Sequence, residues 1–278
     1  MSPSADVIFT EDPEYVLCVA GDYLASDPLQ HNLVLTLLRA RVTHADAGRY
    51  WIATKGGAVV GLVLQAPLDF VATVTPMGTD LAATMVNAIA ERGVVLPGVY
   101  GDAATAAAFA GQWAERHAVA VAPFQGTRLY RLFELQPSTT SAGSLRQAAP
   151  EHRDLVVRWV RAFFSDIGES FWDAEVLVDR RLPQGHFFLW DDGGPVSLAA
   201  NTDPLAGVVR VQYVYTPPER RRCGYASACV AALSTRTQTA GHHCILYTDL
   251  GNSTSNRLYR RIGYRAVAEG VKYRFGGP

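Results

Sequence analysis

The chain has 278 residues, of which 49% are hydrophobic and 18% are charged, and this apolar content excludes global disorder. Its 25 basic and 26 acidic residues give a net charge of −1, so neither nucleic acid nor an anionic membrane is expected as a partner. No apolar run reaches the roughly 18 residues of a membrane span, and the first residues do not resemble a secretory signal. The four cysteines show no CxxC spacing, so a reducing, cytoplasmic compartment is expected.

The first elements predicted along the chain are a β-hairpin at residues 50–64 and a short strand at residues 70–76. The hairpin turns at Gly56-Gly57, because glycine supplies the positive φ that a tight turn needs. An aromatic and basic strand at residues 129–133 closes this first part of the chain.

The same pattern returns in the second half of the chain. A hairpin at residues 186–199 also turns at a Gly-Gly pair, and residues 271–275 repeat the aromatic and basic strand. The offset between the copies, about 137 to 142 residues, matches one domain length. The repeat predicts two domains joined by a small polar linker, with the first at residues 1–135, the linker at residues 136–144 and the second at residues 145–278.

Inside the second copy the apolar spacing alternates between helical and extended periods. Around the second hairpin it predicts, in order, a helix at 151–167, a strand at 208–216, a helix at 226–239, a strand at 244–247 and a helix at 254–262. This order indicates an α/β domain built around a mixed sheet.

The stretch between the strand at 208–216 and the next helix predicts a binding site. Pro217 and Pro218 have no N–H group, so the strand must leave its neighbour there. The backbone groups of the residues just before them are thereby opened to an outside partner. These residues are Val214, Tyr215 and Thr216.

The loop and first helical turn that follow have the properties of an anion site. Unpaired N–H groups and the positive end of the helix dipole meet there. Gly224 allows close backbone approach, and three successive arginines at residues 220–222 add positive charge. We expect a phosphate or pyrophosphate to bind there. The residues assigned to this site are Arg221, Arg222, Cys223, Gly224, Tyr225, Ala226 and Ser227.

This stretch resembles the pyrophosphate loop of the GNAT superfamily of acetyl-CoA-dependent N-acetyltransferases. That loop reads Arg/Gln-x-x-Gly-x-Gly/Ala after a proline-acidic step, and here Arg221-x-x-Gly224-x-Ala226 follows Pro218-Glu219. A second family motif lies downstream at the expected spacing, with Asn252, Ser255, Leu258, Tyr259, Gly263 and Tyr264. The resemblance covers residues 145–278. It implies two tandem GNAT-like α/β domains, each a mixed, mostly antiparallel twisted sheet flanked by helices.

The resemblance also implies an activity, namely transfer of the acetyl group of acetyl-CoA to a primary amine by direct attack. The backbone near Val214 would polarise the thioester carbonyl. Asn252, Ser255 and Asn256 would contact the pantetheine arm, and Tyr259 would stand near the sulfur as a general acid. The expected partner is a small-molecule or peptide amine, and the oligomeric state is left open.

Two departures from the family pattern affect this interpretation. Arg222 stands where the family usually has glycine, so a positive φ there would strain the backbone by roughly 1–2 kcal/mol. The strand before the loop has no carboxylate to act as a base. Four acidic residues outside this strand are candidates for attracting a cationic amine, and the alternative is that they are solvated surface side chains. They are Asp166, Glu169, Asp173 and Glu175.

The first copy lacks the loop motif, since residues 77–80 lead directly from its strand into a helix. We therefore interpret residues 1–135 as a degenerate GNAT-like domain. Structural roles are expected for His242 and His243, and no metal site is predicted. Two alternatives stay open. One is an acyltransferase that uses another acyl-CoA or a thiol-sugar or amino-acid acceptor, and the other is a CoA-binding sensor without turnover.

Overall fold

The computed structural model describes residues 5–44, 46–136, 142–168 and 173–276, and their contacts divide the chain into two compact units. The first unit contains the described residues of Met1–Leu129, Asp249–Gly251 and Val267–Pro278. The second contains those of Tyr130–Thr248 and Asn252–Ala266. Among the described residues, no helix combines the length and the apolar character needed to cross a bilayer.

The first unit is a sheet with helices packed against it. Its strands are β1 (Asp6–Thr10), β2 (Arg49–Lys55), β3 (Ala58–Gln65), β4 (Ala72–Val74) and β5 (Gly98–Asp102), and it shares β6 (Val121–Leu132) and β12 (Tyr264–Phe275) with the second unit. Its helices are α1 (Pro13–Ser26), α2 (Asn32–Thr43), α3 (Thr79–Glu91) and α4 (Ala103–His117). Strands β1 to β4 pair antiparallel, β4 pairs parallel with β5, and β5 pairs antiparallel with β12.

The predicted first hairpin is confirmed. β2 and β3 pair antiparallel around Gly56 and Gly57, whose φ values are +59° and +83°. Both glycines are left-handed, as a two-residue turn that matches the strand twist requires. The fully buried Trp51 and Trp113 lie in the same apolar cluster, so β2 and α4 share one core.

The second unit has the same class of architecture. Its further strands are β7 (Ser144–Gln147), β8 (Phe187–Asp191), β9 (Pro195–Asn201), β10 (Val208–Tyr215) and β11 (His243–Asp249). Its helices are α5 (Arg153–Asp166), α6 (Ala174–Arg181), α7 (Tyr225–Thr239) and α8 (Ser253–Arg261). Strands β7 to β10 pair antiparallel, and β10 pairs parallel with β11. The predicted class of each unit, a mixed and mostly antiparallel sheet flanked by helices, is confirmed.

Two helical layers cover opposite faces of this second sheet. Phe188 and Val230 belong to one buried cluster, which holds α7 against its face. Phe187 and Val160 belong to another, which holds α5 and α6 against the opposite face. Successive strand residues point to opposite sides, so the Phe187-Phe188 pair contributes to both cores.

The helices and strands predicted for the second copy are confirmed to within a few residues. Helix α5 begins at Arg153 and not at residue 151, because Pro150–His152 form a short 3-10 turn before it. The boundaries between the two units differ from the predicted domain boundaries. The contacts assign residues 130–136 to the second unit and residues 267–276 to the first, since β6 and β12 each contribute to both. Residues 137–141 of the predicted linker lie outside the described residues.

Candidate coenzyme-binding site

A bulge in β10 shapes the start of the site. Tyr213 has a φ of +51°, and the pairing of β10 with β9 shifts register between Gln212 and Tyr215. The parallel pairing of β10 with β11 covers Val208–Arg210 opposite His243–Ile245 and ends there. Beyond Arg210 the two strands therefore leave backbone groups of β10 open to another partner.

The end of β10 is fixed by Ser197 of the neighbouring strand β9. The buried Ser197 hydroxyl donates to the carbonyl oxygen of Tyr215 at 3.0 Å, and it lies 2.8 Å from the hydroxyl of Thr216. The strand stops before Pro217, as predicted. The sequence predicted this strand end from the two prolines, but nothing in it identified the bulge at Tyr213, because tyrosine is a residue that favours regular strands.

The loop before α7 contains two left-handed residues. Arg222 has a φ of +66°, so the strain expected at this position is present. Gly224 has a φ of +84° and a ψ of −2° and occupies the N-cap position of α7. A side chain at Gly224 would be strained, whereas glycine adopts this conformation without steric cost. The chain thereby reverses sharply into the helix.

The first turn of α7 has no side-chain cap, since its N-cap residue is glycine. The first N–H group that has a helical acceptor is that of Ala228, which donates to the carbonyl oxygen of Gly224 at 3.0 Å. The three preceding N–H groups, of Tyr225, Ala226 and Ser227, face outward from the helix end with the positive pole of its dipole. This arrangement fits an anionic group such as a diphosphate.

Arg221 is held in place on the loop. Its Nε donates to the carbonyl oxygen of Thr216 at 2.9 Å, and its guanidinium forms a salt bridge with Asp166 at the end of α5. Its guanidinium carbon also lies 5.8 Å from the centroid of the Tyr215 ring. About half of each charged side chain is exposed, so the salt bridge lies in contact with solvent.

Tyr225 anchors the start of α7 to the second hairpin. Its hydroxyl donates to the carboxylate of Asp192 at 2.6 Å. This hydrogen bond, together with partial burial, raises the pKa of Tyr225 above its usual value of 10. Cys223 is exposed, and its thiol lies 3.6 Å from the carbonyl oxygen of Arg221.

The start of α8 carries the second predicted motif. Asn252 is the N-cap residue, and its Oδ1 accepts the N–H of Ser255 at 3.0 Å. Asn256 is buried, and its Oδ1 accepts the hydroxyl groups of Tyr130 at 3.0 Å and Thr248 at 2.9 Å. Its Nδ2 donates to the carbonyl oxygen of Asn252 at 2.8 Å. Asn256 thereby joins α8 to β6 and β11.

Tyr259 is 7% exposed and lies between two aromatic rings of the same core. The centroids of Tyr130 and Tyr264 are 6.5 and 6.0 Å from its own. Burial raises the pKa of Tyr259 well above 10, so the phenol stays protonated at neutral pH. No hydrogen bond joins its hydroxyl to any residue in the described part of the chain. A proton donor that is buried and uncommitted has the chemistry of a general acid.

The acids predicted to attract an amine already have partners. Asp166 pairs with Arg221, and Glu175 pairs with Arg161. Asp173 caps α6, since its Oδ1 accepts the N–H of Val176 at 2.9 Å. Glu169 lies outside the described residues.

The predicted histidines have ordinary surroundings. His243 is exposed, and its Nδ1 lies 3.3 Å from the guanidinium of Arg131, while His242 is partly buried. In the described ranges no three histidine, cysteine or acidic side chains form a group that would hold a metal ion.

The corresponding loop of the first unit is closed by its own side chains. Gly78, the N-cap residue of α3, has a φ of −76° and not the left-handed conformation of Gly224. The preceding N–H group, of Met77, donates to the hydroxyl of Thr105 at 3.0 Å. Met77 and Leu81 fill the space beside Gly61. The α3 start therefore lacks the open turn found before α7.

Comparison with known proteins connects this geometry to a family. Residues 197–274 match the FR47-like protein family, and this segment contains the loop, α7 and α8. No curated protein matches the chain.

Solved structures match nearly the whole chain. A GNAT-family acetyltransferase from Colwellia psychrerythraea has a TM-score of 0.64 at 11% identity and covers 97% of this chain and 98% of its own. A GCN5-related N-acetyltransferase from Sphaerobacter thermophilus has a TM-score of 0.64 at 17% identity, with coverage of 99% and 96%. A tandem GNAT protein from the clavulanic acid biosynthesis pathway has a TM-score of 0.56 at 11% identity, with coverage of 98% and 99%. The predicted resemblance is confirmed: residues 197–274 match the FR47-like family, and the chain has the fold of solved GNAT acetyltransferases.

Proposed function

We propose that this chain moves the acetyl group of acetyl-CoA to a primary amine by direct attack of the amine on the thioester. The observation that carries the proposal is the uncapped start of α7 behind the left-handed Gly224. A helix end of this kind attracts a diphosphate through its N–H groups and its dipole. Acyl transfer is the chemistry of GNAT-fold acetyltransferases, and the fold supports it in general terms.

The diphosphate of the coenzyme would bind at the residues between Arg221 and Ser227. The N–H groups of the first turn supply hydrogen bonds, and Arg221 and Arg222 supply charge. Gly224 leaves room for the phosphate oxygens, since it has no side chain there. Asp166 already pairs with Arg221, so part of the charge of this arginine is neutralised before the ligand arrives.

The pantetheine arm would run between β10 and β11, where their pairing ends after Arg210. Asn252 and Ser255 are proposed to contact the arm at the start of α8. Asn256 is proposed as a positioning residue, because the hydrogen bonds to Tyr130, Thr248 and Asn252 occupy its amide. Backbone N–H groups near Val214 would polarise the thioester carbonyl, as an oxyanion hole does.

Tyr259 is proposed to hold the proton that the leaving sulfur requires. The amine nitrogen forms a bond to the carbonyl carbon, the carbon–sulfur bond breaks, and the phenol protonates the thiolate. The attacking amine gives up its own proton to water, because β10 carries no carboxylate. The first unit is proposed to bind no coenzyme, since Thr105 holds the loop before α3 closed. We further propose that the protein is cytoplasmic. Its acceptor is a small-molecule or peptide amine, and its partners include neither nucleic acid nor a membrane.

A second candidate function is binding of CoA without turnover. The observation in its favour is that the acids Asp166, Asp173 and Glu175 are all engaged in local contacts, so none is free to serve as a base. An acyl-CoA other than acetyl-CoA would use the same loop. Release of CoA thiol from acetyl-CoA across a panel of amines separates an enzyme from a sensor.

The binding site itself is tested by replacing Gly224 with valine and measuring acetyl-CoA affinity by calorimetry. We expect Gly224→Val to weaken binding at least tenfold. Gly241→Val is the matched control, because Gly241 also has a positive φ of +82°, lies just past the other end of α7 and has open space around it. Gly241→Val introduces comparable backbone strain but lies away from the proposed diphosphate site. The acetyl-CoA affinity of this variant should therefore stay within twofold of wild type. Unaltered affinity in Gly224→Val would overturn the proposed site.

A further inference from the structure

A group of basic side chains lies on the α5 and α6 face of the second unit, apart from the loop before α7. Arg181 comes from the end of α6, Arg210 from β10, and His186 stands just before β8. Burial and the charge of Arg181 lower the pKa of His186, so this ring is neutral at pH 7. The two arginines therefore carry the positive charge of the group.

Arg210 is only 9% exposed, and no side-chain hydrogen bond links it to any part of the described chain. Its Nε is fully buried and unpaired, and its guanidinium carbon lies 5.8 Å from the centroid of the Tyr247 ring. A charged side chain whose Nε is buried without an acceptor is unfavourable for folding, because that N–H gives up its hydration without a matching gain. A ligand that supplies the anion would account for keeping an arginine there.

Arg181 faces neutral oxygens. Its guanidinium donates to the carbonyl oxygen of Asn201 and, with the amide of Gln212 turned so that its oxygen faces the arginine, to that oxygen at 2.7 Å. The guanidinium carbon lies 5.6 Å from the centroid of the Tyr213 ring. Burial and the charge of Arg210 lower the pKa of Arg181 from its usual range.

One carboxylate lies near the two arginines. Asp203 is 74% exposed and stands 3.3 Å from Nε2 of His186, whose Nδ1 lies 3.3 Å from Oδ1 of Asn201. Its charge is largely screened by water. The group therefore keeps an excess of positive charge, part of it buried at Arg210.

The position of this group relates it to the proposed reaction. Arg210 is the last residue of β10 that pairs with β11, and Tyr213 forms the bulge that follows. Val214 is four residues beyond Arg210, a span of at most about 13 Å of extended chain. Arg210 therefore lies where the pairing of β10 with β11 ends, and the backbone proposed to polarise the thioester lies on the unpaired part of β10 that follows.

We propose that Arg210, supported by Arg181, binds a carboxylate on the acceptor, so that the acceptor class is amines that also carry a carboxylate. The inference rests on the proposed acetyl transfer. The planar guanidinium matches a carboxylate with two parallel hydrogen bonds, and burial makes such a pair selective. A neutral amide at the same place would leave the charge of Arg210 without a partner.

The test uses amino acids, each paired with its carboxamide, as acceptors for the full-length protein with acetyl-CoA. We expect wild type to prefer the acids by about 100-fold in kcat/KM, the size of effect seen when a buried charge loses its partner. Arg210→Gln should reduce this ratio at least tenfold, and Arg210→Lys should give an intermediate ratio, because lysine keeps the charge without the planar fork. Arg158→Gln, at an exposed position of α5, is the control and should keep the wild-type ratio.

A structural role for Arg210 predicts something different, namely a lower melting temperature in Arg210→Gln. We expect the melting temperature of Arg210→Gln to equal or exceed that of wild type, because the variant removes an unpaired buried charge. If the protein binds acetyl-CoA but acetylates the acids and their carboxamides equally, or acetylates neither, this inference is overturned. The proposed coenzyme site would still stand in that case. Free acetate that raises the amides to the rate of the acids would also overturn it, since the anion would then not belong to the acceptor. Failure to bind acetyl-CoA would overturn the proposed function and this inference together.

Discussion

Arg221 and Asp166 form a salt bridge that joins the loop before α7 to the end of α5. One of the arginines expected to attract the diphosphate is therefore already neutralised in part. Both side chains are about half exposed, and a pair of this kind is worth about 0.2–1 kcal/mol. Removal of the carboxylate would release the arginine for the ligand and would also remove a negative charge near the phosphates.

We therefore expect Asp166→Asn to strengthen acetyl-CoA binding two- to fivefold, the change that about 0.4–1 kcal/mol gives. Calorimetry at low and high salt is the measurement, and the gain should shrink as salt screens the charges. In an Arg221→Gln background the same substitution should have less effect, because the competition is gone. Weaker binding in Asp166→Asn would mean that the salt bridge positions Arg221 for the ligand.

Arg222 offers a separate test, because its φ of +66° is a strained conformation for a residue with a side chain. Arg222→Gly should raise the free energy of unfolding by about 0.5–1 kcal/mol, since relief of roughly 1–2 kcal/mol is partly offset by glycine's greater freedom in the unfolded chain. The same variant should weaken acetyl-CoA binding, because a positive charge beside the diphosphate is lost.

Arg222→Asn separates these two effects. Asparagine tolerates the left-handed conformation better than other residues with side chains, and it carries no charge. It should therefore lose affinity as Arg222→Gly does, with a smaller gain in stability. Equal melting temperatures for wild type and both variants, measured by thermal denaturation, would show that the loop relaxes without strain.

Tyr259 is expected to contribute to turnover and little to stability. Tyr259→Phe removes a hydroxyl that has no hydrogen-bond partner among the described residues, so its melting temperature should match wild type. Its kcat should fall by roughly ten- to a thousandfold if the phenol protonates the thiolate. Because burial raises the pKa of Tyr259, the phenol stays protonated, and its deprotonation should not lower wild-type kcat up to about pH 10.

Tyr264→Phe is the matched control for this variant. Tyr264 is buried in the same core, but its hydroxyl lies 2.8 Å from the hydroxyl of Ser234. Loss of that hydrogen bond should lower the free energy of unfolding by about 1 kcal/mol and leave kcat near wild type. If kcat in Tyr259→Phe were unchanged, Tyr259 would be a core residue only.

The fold followed from local patterns. Gly-Gly pairs identified both hairpins, and the two prolines identified the end of β10 at Tyr215. The resemblance of Arg221-x-x-Gly224-x-Ala226 to the GNAT pyrophosphate loop identified the turn into α7, and Gly224 allows the sharp reversal there. These features are encoded within a few residues of one another, which is why the sequence alone predicted them.

The contacts of the site depend on tertiary packing, and the sequence did not predict them. Tyr213 has a left-handed conformation that is unusual for its residue type. Asn256 accepts the hydroxyl of Tyr130, and Arg221 pairs with Asp166, so each of these contacts joins residues that are distant along the chain. Local periodicity carries no information about contacts of this kind.

The cysteines separate into two classes that allow the loop to be probed by chemical modification. Cys229 and Cys244 are buried, and burial raises the pKa of Cys229 to about 12. Thiols of this kind are unreactive near neutral pH, because the thiolate is the nucleophile. Cys223, in the loop before α7, and Cys18, on α1 of the first unit, are exposed.

A thiol reagent should therefore modify Cys223 and Cys18 in the native protein and spare the other two, as mass spectrometry of the peptides would show. Saturating acetyl-CoA should slow modification of Cys223 at least tenfold, since a bound diphosphate would cover the loop from Arg221 to Ser227. Cys18 serves as an internal control and should react at the same rate with and without the ligand. Cys223→Ser should leave acetyl-CoA affinity within twofold, which would show that protection reports on coverage of the thiol. If acetyl-CoA bound and left Cys223 as reactive as before, the diphosphate would lie elsewhere in the molecule.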